Sequence, residues 1–180
     1  MICWDRVGDH LVLGVFEQGE IGRLHSFLTG LRDLLDDRFA CYSSRELGLP
    51  FPAAETTDPR LRAILRRRSS GVSRWQEPDV LRPLREAVDA VLSTLPERGG
   101  IVELRSVDAA VAWTRSLTDL GVAMSAAARE ADPVVASRTR FTTRWLKSVV
   151  RTLDATSGKA AEAVPQELVD SVNQVRTYWI

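Results

Sequence analysis

The chain has 180 residues, 44% of them hydrophobic and 27% charged, which points to one folded domain and excludes a disordered or fibrous chain. A chain of this size buries roughly 70% of its unfolded surface, enough for a core that needs neither disulfides nor a structural metal. Its 24 cations and 24 acids cancel, which excludes whole-molecule attraction to a polyanion and leaves any such role to a local patch.

Only Lys147 and Lys159 among the cations are lysine; the rest are arginine, which makes the better-packed, bidentate contacts. Two cysteines, Cys3 and Cys41, are too few for a secreted disulfide scaffold and lack C-x-x-C spacing. The N-terminus Met1-Ile2-Cys3-Trp4-Asp5-Arg6 has no signal-peptide pattern, and no apolar run is long enough to span a bilayer. A soluble, cytoplasmic protein without a membrane partner is the expectation.

Residues 3–16 alternate around Gly8-Asp9, with Leu11, Leu13 and Val15 on one face and Val12 and Phe16 on the other. A tight turn at Val7-Gly8-Asp9-His10 makes this a β-hairpin, which needs a helix or a third strand against it. From Glu17 the period changes. Ile21, Leu24, Phe27, Leu28, Leu31, Leu34 and Leu35 mark an amphipathic helix over 18–38, with Glu17 and Glu20 at its start and Arg38 near its end.

Residues 43–58 read as a loop. Asp58-Pro59 then supplies an N-cap and a first-position proline for a helix that Ser69-Ser70-Gly71 breaks. Asp79 opens the next helix, with Pro83 in its first turn, and Pro96 and Gly99-Gly100 stop it. Ile101–Leu104 is extended and fit to extend the hairpin. Ser106 caps a long helix through Trp113 to Met124. Beyond Asp132-Pro133 lies an arm: a helix holding Phe141, Trp145, Leu146, Val149, Val150 and Leu153, a flexible stretch over 155–163, and a last helix from Pro165 to Trp179.

The expected fold is therefore mainly α, a bundle of about five or six helices with a small N-terminal hairpin and a short third strand. Residues 1–132 form the core domain. Residues 133–180 form a basic helical arm, docked on the core or on a partner. Trp4 is expected to pack the hairpin onto the helices and Trp113 to lie in the core. Trp75, in a loop, and Trp179 are aromatics that call for a covering surface. The arm's apolar stripe fits its own domain or a second copy, so a homodimer is kept in view.

Little in the sequence suggests catalysis. His10 and His25 sit on separate elements without ligand-like neighbours, so no metal site is expected. No nucleophile elbow, phosphate-cradling glycine loop or dinucleotide fingerprint occurs, and neither catalytic residues nor a cofactor is assigned. Asp36-Asp37 reads as solvated helix-end charge.

Two basic stretches stand out instead. Arg60, Arg62, Arg66, Arg67, Arg68, Arg74, Arg82 and Arg85 crowd 60–85 against Glu77 and Asp79. Arg138, Arg140, Arg144, Lys147 and Arg151 follow with no acid between Pro133 and Leu153. Each stretch is a solvated face balanced elsewhere, a contact for an acidic protein partner, or a phosphate-binding surface. A protein that works by binding partners through its arginine-rich faces is the leading reading, with nucleic-acid binding the alternative and an enzyme of unfamiliar type third.

Several segments in order resemble one small actinobacterial family of formerly unknown function that includes the oxidative-stress regulator AosR. These are Trp4-Asp5-Arg6-Val7 with the hairpin, the helix ending Leu34-Leu35-Asp36-Asp37-Arg38, Asp58-Pro59-Arg60-Leu61-Arg62, and Ala112-Trp113-Thr114-Arg115-Ser116-Leu117-Thr118-Asp119-Leu120. They fall within residues 3–127. The resemblance implies a cytosolic, non-enzymatic regulator; the family's named member is described as sensing oxidation through a C-x-x-x-C pair and acting with an alternative sigma factor. This chain departs from it: C-x-x-x-C is missing, leaving Cys3 and Cys41 as the candidate redox residues. Thr118 and Gly121 stand where the motif has asparagine and arginine, and Arg66-Arg67-Arg68 replaces a leucine-proline segment.

Overall fold

The computed structural model describes residues 3–8, 11–46, 56–68 and 76–158. Along the chain run β1 (Cys3–Val7), β2 (Leu11–Phe16), α1 (Gln18–Glu46), α2 (Pro59–Arg68), α3 (Glu77–Thr94), β3 (Gly100–Leu104), α4 (Val107–Ala127) and α5 (Pro133–Gly158). The architecture is mainly α, with five helices among the described residues and one small sheet. The expected helix over Pro165–Trp179, and the loop and tail positions of Trp75 and Trp179, lie outside the described residues.

The starts of α2, α4 and α5 follow caps written in the sequence. Asp58 Oδ1 accepts the Arg60 N–H at 2.7 Å, Ser106 Oγ accepts the Ala109 N–H at 3.1 Å, and Asp132 Oδ1 accepts those of Val134 and Val135 at 2.9 and 3.1 Å. Each of these satisfies donors that the first helical turn leaves without partners. At α1 the Glu20 carboxylate accepts the Glu17 N–H at 3.0 Å, half of a capping box.

Three boundaries differ from expectation, one of them the end of α5, which stays helical to Gly158 through residues 155–158, expected to be flexible. α1 continues past Arg38 to Glu46 because its last turns carry their own contacts: Arg38 lies over the Tyr42 ring at 5.1 Å, and Cys41 Sγ donates to the Asp37 carbonyl. α3 begins at Glu77, two residues before Asp79, so Pro83 sits inside the helix rather than in its first turn. There it removes the hydrogen bond its N–H would have given the Asp79 carbonyl.

The sheet order is β1-β2-β3, antiparallel throughout, with Trp4 opposite Gly14 and Gly14 opposite Val102. A Cβ on Gly14 would fall 2.5 Å from the Trp4 ring, so only glycine lets the indole lie flat across β2. Trp4 meets Phe16 and Trp113 edge-on, each with ring centroids 5.5 Å apart. Trp113 is fully buried, its Nε1 donating to Thr94 Oγ1 at 2.9 Å. This aromatic cluster joins the inner sheet face to α4.

α4 is the hub, touching α1, α2, α3, α5 and β3. One cluster takes in Leu24, Leu28 and Leu35 of α1, Leu61 and Ile64 of α2, Leu84 and Val88 of α3, Leu117 and Leu120 of α4, and Leu146, Val149 and Leu153 of α5. No helix among the described residues is long and apolar enough to cross a membrane.

Candidate functional site

The structure divides the cations into two populations. In the first, arginines reach carboxylates inside the fold. Arg38 of α1 makes a two-pronged pair with Glu77 at the start of α3, Nε to Oε1 at 2.8 Å and Nη2 to Oε2 at 2.9 Å. Both side chains are buried, at 10% and 5% exposed. The bond to Glu77 pushes the Arg38 guanidinium above its ordinary pKa, and burial pushes the Tyr42 phenol up as well. Asp119 of α4 is buried and accepts from Arg67 Nη1 at 2.8 Å and Arg68 Nε at 2.9 Å, which clamps α2 onto α4. Arg85 pairs with Asp36 and Asp89 at the α1–α3 surface.

Arg60 turns back to its own N-cap, Nε 3.1 Å and Nη2 2.7 Å from Asp58. Its guanidinium holds the Asp58 carboxyl below the usual carboxylate range. Arg62 and Arg66 are exposed on α2. Arg74 and the side chain of Cys3 lie outside the described residues. Cys41 is a free, half-buried thiol on α1.

The second population lies on α5. Arg140, Arg144, Lys147 and Arg151 follow one another at i, i+4, i+7 and i+11, one stripe of the helix, and all are exposed. None has an ion pair among the described residues; Arg140 Nε donates to the Ala136 carbonyl of its own helix at 3.2 Å. Arg138 points elsewhere, on the side of the exposed Val134 and Phe141.

Beside this ladder runs a groove between α4 and α5 that reaches α2 at one end. It consists of two adjoining depressions of about 660 and 690 Å³ that share Ser125, Arg129 and Lys147. Arg129 faces the ladder from the last turn after α4, and Arg67 closes the α2 end. Leu117, Val122 and Val150 give the floor an apolar surface, and Asp154 is its one carboxylate.

The groove's hydroxyls are already committed. Thr118, Ser125 and Thr143 donate to the carbonyls of Thr114, Gly121 and Thr139, and Thr114 donates to Asp154 at 2.8 Å. What faces an incoming molecule is guanidinium, ammonium and methyl groups, which suits binding better than proton transfer. Among the described residues no group of three or more His, Cys, Asp or Glu side chains could hold a metal ion. His25 is exposed on α1, and His10 lies outside the described residues.

The sequence did not single out Arg129, Asp119 or Asp154. Arg129 stands alone beside Glu130, and Asp119 looks like any helix-surface acid until α2 is placed against it. The spacing within α5 was there to read; which way it faces was not.

A family model, the domain of unknown function DUF2017, matches residues 1–153. The chain belongs to the DUF2017 family. Neither a curated protein nor a solved structure matches it. The DUF2017 match runs through most of α5 and so includes both sides of the groove. It carries no link to AosR or to oxidative stress.

Proposed function

We propose that this DUF2017 protein is a non-enzymatic regulatory protein that binds an acidic helical segment of a partner protein in the α4–α5 groove. One observation carries the reading: a four-cation ladder, faced by Arg129, borders an apolar floor and meets a single carboxylate. Along a helix the ladder spans about 16 Å, in steps of roughly 5 Å, which a second helix bearing acids at the same spacing would match. Arginine adds bidentate contacts to each carboxylate. The floor at Val122 and Val150 would take the apolar flank of such a helix. The resemblance over residues 3–127 suggests transcription machinery as the partner class, and that extension rests on the resemblance alone.

The test is fluorescence anisotropy with a labelled helical peptide carrying glutamates at i, i+4, i+7 and i+11, against the same peptide with glutamines. The acidic peptide is expected to bind, to weaken steeply with added salt, and to lose about tenfold or more in affinity to the Arg144→Glu/Lys147→Glu variant. Equal binding of the glutamine peptide, or indifference to the variant, would overturn the proposal. So would preference for a single-stranded or duplex oligonucleotide over the acidic peptide, since phosphates would then be the ligand.

A further inference from the structure

The small sheet is apolar on both faces, yet the described residues cover only one. Trp4, Val12, Phe16, Val102 and Leu104 turn inward and are buried. On the other face the register sets Val7 beside Leu11 and Val15 beside Ile101, with Leu13 between Asp5 and Glu103. Val7, Val15 and Ile101 are 50%, 52% and 55% exposed. A strand with one face in water alternates apolar and polar residues. β2, Leu11-Val12-Leu13-Gly14-Val15-Phe16, does not; it reads as a strand covered on both sides.

The chain itself passes close to the β1 edge of this sheet. Near the end of α5, Thr156 Oγ1 donates to the Trp4 carbonyl of edge strand β1 at 3.3 Å. Residues 159–180 therefore continue from a point beside the sheet. Within them Leu168, Val172, Val175 and Trp179 recur at i, i+4, i+7 and i+11, while Glu167, Asp170, Asn173 and Gln174 fall on the opposite side. Arg176 falls at the border of the apolar stripe, the sign that Asp5 and Glu103 would attract. Residues 159–164 as a connection reach up to about 20 Å. A tethered segment acts at an effective concentration near the millimolar range, so modest contact area suffices.

We infer that the segment Pro165–Trp179 packs as an amphipathic helix on the outer face of the sheet, its Leu168, Val172, Val175 and Trp179 stripe covering Leu13, Val15 and Ile101. This surface is separate from the α4–α5 groove, and the inference does not depend on the partner proposed there.

Amide hydrogen exchange on the full chain tests it. Residues 168–179 are expected to exchange at least about tenfold more slowly than an unstructured chain. Val15→Lys/Ile101→Lys should abolish that protection while amides of α4 stay protected, which shows that the fold survives. In the converse variant, Leu168→Ser/Val172→Ser, the amide resonances of Leu13–Val15 and Ile101–Glu103 should shift. Unstructured-chain exchange rates in the unaltered protein, or protection that survives the lysine substitutions, would overturn the inference. Protection that falls with dilution over about 100-fold would overturn it too, by making a second copy the occupant.

Discussion

Arg38, Arg67 and Arg68 differ from Arg140, Arg144, Lys147 and Arg151 in where the nearest carboxylate stands. Glu77 and Asp119 are buried and each meets arginine head-on, so the first three tie α1 to α3 and α2 to α4. Along the α5 stripe none of the cations has an ion pair among the described residues, and all four are exposed. The same side chain thus serves as a fastening in one place and stays exposed on the proposed binding face in the other. Burial of the acid decides which, because a desolvated carboxylate must be paired while a solvated cation need not be.

That contrast can be broken from either side. The largest effect is expected from Glu77→Ala, which leaves the Arg38 guanidinium buried without its partner. Denaturant unfolding should show a loss of about 3–5 kcal/mol. Asp119→Ala should cost less, about 2–3 kcal/mol by the same measurement, because Arg67 is already half exposed and can turn to water. If either variant is as stable as the parent protein, the fastening role fails. Arg144→Glu/Lys147→Glu should change stability by no more than about 0.5 kcal/mol while removing peptide binding. A large loss of stability there would move α5 into the first population.

Arg60 lies between the two extremes and gives the smallest effect. Its hold on Asp58 depresses the folded-state pKa of that carboxyl, so the pair stabilises the fold above the unfolded carboxylate value. The contribution disappears as pH falls through the depressed one. Carboxyl NMR should place the Asp58 midpoint below the ordinary range, and Arg60→Ala should return it upward. An unchanged midpoint in that variant would assign the depression to the N-cap bonds instead.

Much of the fold was legible in advance. Asp58-Pro59, Ser106 and the leucine periodicity are local signals, and local hydrogen bonds and helical geometry answer them directly. The expected end of α1 at Arg38 fell short because Arg38 and Tyr42 look like terminal polar residues until Glu77 is brought against them. The triple arginine 66–68 entered as part of one basic stretch open to several readings, whereas α2 turns two of its members toward Asp119.

The sequence by itself determined where the capped helices begin, which residues are apolar enough to be buried, and that one strand pairs apolar residues on both faces. Those are properties of near neighbours along the chain. Only the tertiary structure decided which cations are spent on Glu77 and Asp119 and which remain on α5. That choice depends on contacts between residues about 40 and 50 positions apart, and periodicity within an element does not encode them.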